Sequence, residues 1–326
     1  MNLIVEREKG LLELERRIAE LREANAHQPV SMSTEITALE QKYAEIQREV
    51  FGSMSPWEKV HMARHPSRPT ALDYIAQLET FDELHGDRHI RDDHAIVGGF
   101  ARLGPRAAVV IGEQRGRDTK ENLRRNFGMP APEGYRKVQR LAQLASRMGL
   151  PVVTFIDTKG ADPGITSEEH AQSEAIAACL YEFTIAKVPI VTTVIGEGGS
   201  GGALALGIAD RVIMLENSYY SVASPEGCAA ILWSDAGKAE EAATRLKLTA
   251  QDLAGFGIVD EIVPEPLGGA HRDAQAMVTR VMRSIEAALG RLERLSVAEL
   301  QEARYQKYRR IGAWERERQV AVRAAQ

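Results

Sequence analysis

The run Gly198-Gly199-Ser200-Gly201-Gly202 is where this sequence most plainly offers chemistry. It lies between Pro189 to Ile195, read as a buried strand from its Val, Ile and Thr, and Ala203 to Ala209, read as a helix. Glycine has no Cβ to hold a ligand off, and the first N–H groups of a helix lack intrahelical partners. The junction therefore predicts an anion or oxyanion site built from backbone donors. The competing reading is that small residues merely let the helix pack closely on the sheet. The same residues fit G-x-S-x-G between strand and helix, which admits a serine hydrolase with Ser200 as nucleophile and His170 or His271 as base. In so glycine-rich a turn Ser200 reads better as a hydrogen-bonding turn residue. A third reading makes Glu197, beside the turn, the acid/base of a hydratase or isomerase.

A second turn, Phe155 to Gly164 (FIDTKGADPG), also follows a strand and opens a helix, so Gly160 and Gly164 could wall the same pocket. An ordinary strand-to-helix connection would explain it equally. Arg115, Arg117, Lys120, Arg124 and Arg125 form a cationic cluster that could hold phosphates, against the commoner outcome of a salt-bridged face. No G-x-x-x-x-G-K-[ST] loop and no G-x-G-x-x-G after a first strand occurs, so ATP hydrolysis is not supported.

The elements that must position these residues alternate from about Ala95. Strands fit Ala95 to Leu103, Ala107 to Glu113, Pro151 to Ile156, Pro189 to Ile195, Arg211 to Leu215 and Ile258 to Val263. Helices fit Pro132 to Met148, Ser167 to Ala186, Ala203 to Ala209, Lys238 to Leu246 and His271 to Leu289. Reciprocal caps are expected at Thr166 with Glu169, Thr249 with Asp252 and Ser296 with Glu299, and a serine cap at Ser224-Pro225. Repeated β–β–α units imply an α/β core. Ahead of it, Leu11, Leu14, Ile18 and Leu21, then Ile36, Leu39, Tyr43, Ile46 and Val50, form two apolar seams around a break at Gln28-Pro29, which is a helical hairpin. The expected organisation is a hairpin over 1–54, a main domain over 55–290 and a helical extension over 291–326.

With 326 residues, 44% hydrophobic and 27% charged, the chain is long enough for one large core. A net charge of −5 leaves nucleic acid unexpected as a partner. Cys179 and Cys228 alone make neither a disulfide framework nor a zinc ribbon, so no metal is expected in this chain. No apolar run reaches the ~20 residues of a membrane span, and no signal peptide is evident, so a cytoplasmic protein is expected.

Ala63 to Tyr74 (ARHPSRPTALDY), Gly86 to Gly99 (GDRHIRDDHAIVGG), Arg124 to Lys137 (RRNFGMPAPEGYRK), Ile195 to Gly207 (IGEGGSGGALALG), Ser224 to Trp233 (SPEGCAAILW) and Pro264 to Arg272 (PEPLGGAHR) closely resemble, in this order, the alpha subunits of bacterial acetyl-CoA carboxylase carboxyltransferase. Arg304 to Gly312 (RYQKYRRIG) matches more loosely. The resemblance implies a crotonase-type (ClpP/crotonase) β-β-α superhelix and an assembly with two zinc-bearing beta subunits. It implies transfer of a carboxyl group from carboxybiotin, borne on the biotin carboxyl carrier protein that biotin carboxylase serves, to acetyl-CoA. Malonyl-CoA, which commits carbon to fatty-acid synthesis, is the product. Gly201 and Gly202 would carry the oxyanion hole for the biotin ureido oxygen, with Gly198, Gly199, Gly160, Gly164, Arg124 and Arg125 binding substrate. A side chain at Gly201 or Gly202 would then clash with the ligand or tilt the donors. The family's DTPGAYPG loop reads DTKGADPG here, with Lys159 and Asp162 in place of proline and tyrosine. Either a lost aromatic contact or a Lys159–Asp162 pair would follow.

Overall fold

The computed structural model describes residues 2–27 and 33–312; the expected break at Gln28-Pro29 and residues 313–326 lie outside them. Eight strands form one mixed sheet. β1 (Thr80–Glu83), β2 (Ile96–Leu103) and β3 (Arg106–Glu113) are an antiparallel meander. From β3 the sheet continues in parallel through β4 (Val152–Thr158), β5 (Ile190–Gly199) and β6 (Arg211–Leu215), and β7 (Tyr219–Ser221) pairs with the far end of β5. β8 (Glu261–Val263) closes the edge beside β6.

Alternation along the strands divides the core in two. Val109 and Ile111 of β3, with Ile190 and Val194 of β5, meet Tyr135 and Leu141 of helix Pro132–Met148 and Phe183 of helix Gln172–Ile185. Val110, Val191 and Ile195 face Tyr74 and the inner stripe of helix Ala274–Leu292. Every residue of β5 is buried, as a parallel strand covered on both faces requires.

Helix Pro132–Met148 and the caps at Thr249, Ser296 and Ser224 stand as expected. Three spans differ. The expected helix from Ser167 to Ala186 is broken into Ile165–Glu169 and Gln172–Ile185 by Ala171 at φ 62°, and its first piece starts from Gly164, so Thr166 lies inside the helix and does not cap it. The helix after the glycines runs over Ser200–Leu204, beginning three residues early and ending in a turn, because Thr154 and Thr192 draw the Leu206 carbonyl onto the sheet through hydroxyl bonds of 3.1 and 2.9 Å. The last strand keeps only Glu261–Val263.

Of the two N-terminal helices, Leu3–His27 is fastened to the core by Glu8, and Ser33–Phe51 reaches it through Tyr43 and Gln47, which bond Arg272 and the Leu267 carbonyl. The Glu8 carboxylate accepts from His65 Nε2 at 3.0 Å and His271 Nε2 at 2.8 Å, and the two imidazoles stack with centroids 3.7 Å apart. Burial pushes the Glu8 carboxyl up, but the hydrogen bonds from His271 and His65 outweigh it and hold the pKa at about 2, below the ordinary 4.5. Such a depressed carboxyl stabilises the fold above pH 4.5 and loses that contribution as pH falls toward 2. Glu8→Ala leaves two buried imidazoles without their acceptor, so we expect a loss of about 3 kcal/mol. Denaturant unfolding at neutral pH measures it, and the gap between wild type and variant should close as the solution is acidified.

Candidate active site

β5 ends at Gly199 and the short helix starts at Ser200, which is exposed and held at φ 54°. A serine in the left-handed region is uncommon, and such strain collects at functional turns. Gly199 has no side chain to cap the helix, so the first-turn N–H groups of Ser200, Gly201 and Gly202 receive no side-chain cap.

The glycines answer to different neighbours. A Cβ on Gly199 would overlap the Lys159 carbonyl, and one on Gly202 would stand 2.6 Å from Ala161 N and Gly160 C. On Gly198 it would approach the Tyr219 carbonyl and the Tyr220 ring to 2.9 Å. Gly201 is different: its Cβ would meet Ile176 Cδ1 at an ordinary 3.5 Å. Close packing thus demands glycine at 198, 199 and 202, whereas Gly201 sits partly exposed at the wall of a cleft. In the neighbouring loop, Gly160 donates to Thr158 Oγ1 (3.1 Å) and Gly164 to Asp162 Oδ1 (3.3 Å), so both give shape to the loop and spend their N–H groups within it.

Two clefts flank this turn. One, of about 490 Å³, is largely apolar and runs from Ser200 and Gly201 past Leu204, Gly207, Tyr220 and Phe256. The other, of about 510 Å³, is polar and lined by Arg64, Arg115, Arg117, Lys159, Glu197 and Glu226 among others. Beneath the polar cleft lies a charge network at the carboxyl ends of the central strands. Glu197, 3% exposed, accepts from Arg64 Nε at 2.9 Å and from the Tyr219 hydroxyl at 2.7 Å, and Arg64 also pairs with Glu226. Asp157 pairs with Arg115 at 3.1 Å and accepts from the Glu197 N–H. Burial raises the Asp157 carboxyl despite Arg115, and burial together with the Asp157 charge raises Glu113 far above the usual range. Glu197 is thereby committed to two partners, which removes it from the role of a free acid/base.

The remaining candidates separate. His170 is bonded to Glu133 and His271 to Glu8, so neither nominated base partners Ser200. Arg125 is spent on Glu121 and the His94 carbonyl, and Arg124 is exposed; from the cationic cluster it is Arg115 and Arg117 that reach a cleft. Asp162 accepts from Ser167 Oγ and Gly164 N, and among the described residues it makes no ion pair with Lys159. Glu8, His65 and His271 bring three groups able to ligate a metal together. Ser67 N–H donates to His65 Nδ1 at 3.2 Å, which puts the imidazole proton on Nε2 facing Glu8 and makes the cluster a hydrogen-bonded clamp.

The family model described as acetyl co-enzyme A carboxylase carboxyltransferase-like matches residues 4–312. The chain belongs to that family. The carboxyltransferase alpha subunit of Listeria welshimeri is 52% identical over 312 residues, covering 95% of this chain and 98% of its own length. That of Geobacillus kaustophilus is 53% identical over 309 residues, covering 94% and 95%. Among solved structures, a Pseudomonas malonate decarboxylase hetero-tetramer in complex with coenzyme A aligns with TM-score 0.54 at 18% identity, over 72% of this chain and 90% of that one. The transcarboxylase 12S core aligns with TM-score 0.53 at 20% identity, over 68% and 40%. These alignments show the fold, which is the crotonase-like one expected. The subunit is an acetyl-CoA carboxylase component whose family transfers a carboxyl group to acetyl-CoA, biotin being borne on another subunit and a beta subunit being its partner. No helix among the described residues is long and apolar enough to cross a membrane.

The polar cleft's Arg64–Glu197–Tyr219 contacts and the Tyr220 and Tyr308 walls of the apolar cleft were not legible as site residues. The hydrogen-bond partners of Arg64 and Tyr308 are 99 to 162 positions away, and no local pattern marks such contacts.

Proposed function

We propose that the first-turn N–H groups of Gly201 and Gly202 are the oxyanion donors of carboxyl transfer, and that the biotin ring of the carrier protein enters the apolar cleft beside them. The observation that carries this is Gly201: it borders the cleft, and nothing in its packing requires glycine. A cleft of about 490 Å³ with apolar walls and backbone donors at one end fits an uncharged bicyclic urea. Bound there, carboxybiotin supplies the carboxyl group. The chain's part is to orient it, exclude water with Leu204, Phe256 and their neighbours, and hold N–H groups toward the oxygen that gains negative charge. Lys159 lines the other, polar cleft.

The assembly we propose is two alpha with two beta subunits, working with the carrier protein and biotin carboxylase in the cytoplasm, where free Cys179 and Cys228 stay reduced. The beta subunit would bring the zinc ribbon and the acetyl-CoA thioester site. Purified alone, the chain should form no malonyl-CoA; with its beta subunit it should. Turnover by the isolated chain would refute the division of labour. Ser200→Ala should keep most of the activity of the complex, because the donors are backbone groups, and Ser200 should resist fluorophosphonate labelling. Stoichiometric labelling with parallel loss of activity would restore the hydrolase reading.

A further inference from the structure

We propose that Tyr220 contacts the substrate, its hydroxyl donating a hydrogen bond to an acceptor atom of the ring that occupies the apolar cleft. This rests on the biotin reading above and adds to it a side-chain donor opposite the glycine turn.

Tyr220 is the middle residue of β7 and lies in register with Gly198 of β5. Its N–H is tied to the Leu248 carbonyl at 3.1 Å, which fixes the backbone from which the ring projects. Two glycines of the β5–helix run make room for that one side chain. A Cβ on Gly198 would come within 2.9 Å of the Tyr220 ring, and a Cβ on Gly207 would overlap its hydroxyl. The glycine pattern is thus complementary to a tyrosine along its whole length, from ring edge to oxygen.

Ser200, Gly201, Gly207, Tyr220 and Tyr308 border the same cleft. The two phenols differ in what they already hold. Tyr308 accepts from Ala209 N at 2.7 Å and donates to the Gly207 carbonyl at 3.0 Å, so its hydroxyl is spent on the backbone. The Tyr220 hydroxyl has no hydrogen-bond partner among the described residues. Unlike the phenols of Tyr74 and Tyr135, which are sealed in the core, the half-buried Tyr220 is open at the cleft, so its hydroxyl is available to a ligand there. Burial also pushes the phenol pKa up, so the group stays a neutral donor across the working range. Among the described residues Lys247 is the only charged side chain lining this cleft, which favours an uncharged ring with a carbonyl or thioether acceptor over a phosphate.

The test is Tyr220→Phe in the complex with the beta subunit, assayed as decarboxylation of malonyl-CoA with free biotin as acceptor. We expect the KM for biotin to rise about fivefold, with the KM for malonyl-CoA and the thermal midpoint unchanged, since the hydroxyl holds nothing in the protein. An unchanged KM for biotin overturns the proposal. So does a lowered midpoint with both KM values altered, which would mark a structural role. A variant in which the Gly201 amide N–H is replaced by an ester oxygen separates the two readings. If that variant keeps full kcat, the glycine-turn reading fails; if it loses kcat while Tyr220→Phe binds biotin normally, only the Tyr220 assignment fails.

Discussion

Gly202→Val should lower carboxyl transfer by about three orders of magnitude without unfolding the sheet. The sequence suggests a clash with ligand, but the structure locates the clash within the protein. The new Cβ would stand 2.6 Å from Ala161 N and Gly160 C, both backbone atoms with no rotamer by which to move aside. The Gly160–Ala161 loop must shift or the short helix must tilt, and either change redirects the N–H groups of Gly201 and Gly202. The sheet beneath is held independently by β4–β5 pairing from Val152 to Ile156. Circular dichroism should therefore stay close to wild type while kcat in the complex collapses. Gly201→Ala is the matched control, because its Cβ meets only Ile176 at 3.5 Å and leaves the N–H in place. It should keep at least about a third of wild-type kcat, as a contact of ordinary length costs little.

Arg68→Met should cost about 3–5 kcal/mol, a large part of the roughly 5–15 kcal/mol that holds a domain together. Arg68 is fully buried, donates through Nε to the Ile195 carbonyl at 2.6 Å and forks onto both oxygens of Glu265. Glu265 in turn accepts from the N–H groups of Asn217 (3.0 Å) and Ala270 (2.8 Å), so the pair ties the end of β5 to the segments after β6 and β8. Burial raises the Glu265 carboxyl, but Arg68 and the hydrogen bonds from Asn217 together outweigh it, leaving it below the ordinary range. Without Arg68 burial is opposed only by the hydrogen bonds from Asn217 and Ala270, and the folded-state pKa should rise from its depressed position. The wild-type pair then contributes stability that is lost on acidification, whereas the variant recovers part of its deficit as Glu265 protonates. Urea unfolding of both proteins at neutral and mildly acidic pH measures this. A deficit independent of pH would contradict the stranded-charge account. The double variant Arg68→Met with Glu265→Leu should recover much of the loss.

The parts of the fold that were legible from sequence are those whose signals are local. The 17-residue helix Pro132–Met148 shows its apolar stripe, its N-terminal proline and its closing Gly149 at φ 68°, and β5 shows an uninterrupted β-branched run. β7 was missed because three residues, Tyr219 to Ser221, carry no period of their own and pair only because β5 extends past β6 to meet them. The break at Ala171 was missed because alanine is a good helix former, and nothing local announces a left-handed residue there. Within the glycine run, which glycine is demanded by packing and which borders a cleft depends on Lys159, Gly160, Ala161 and Tyr220, brought there by other strands. A charge cluster in sequence does not reveal which of its members are spent on neighbours, as Arg125 is on Glu121 and the His94 carbonyl.

The central claim is that a backbone donor at Gly201 stabilises charge during carboxyl transfer, and the most direct measurement is kcat of the alpha–beta complex with the Gly201 amide replaced by an ester. That change deletes one N–H and adds no side chain at a position where packing is loose. A fall of about a hundredfold or more in kcat, with the KM for malonyl-CoA unchanged, is the predicted result. Wild-type kcat in the ester variant would contradict the account.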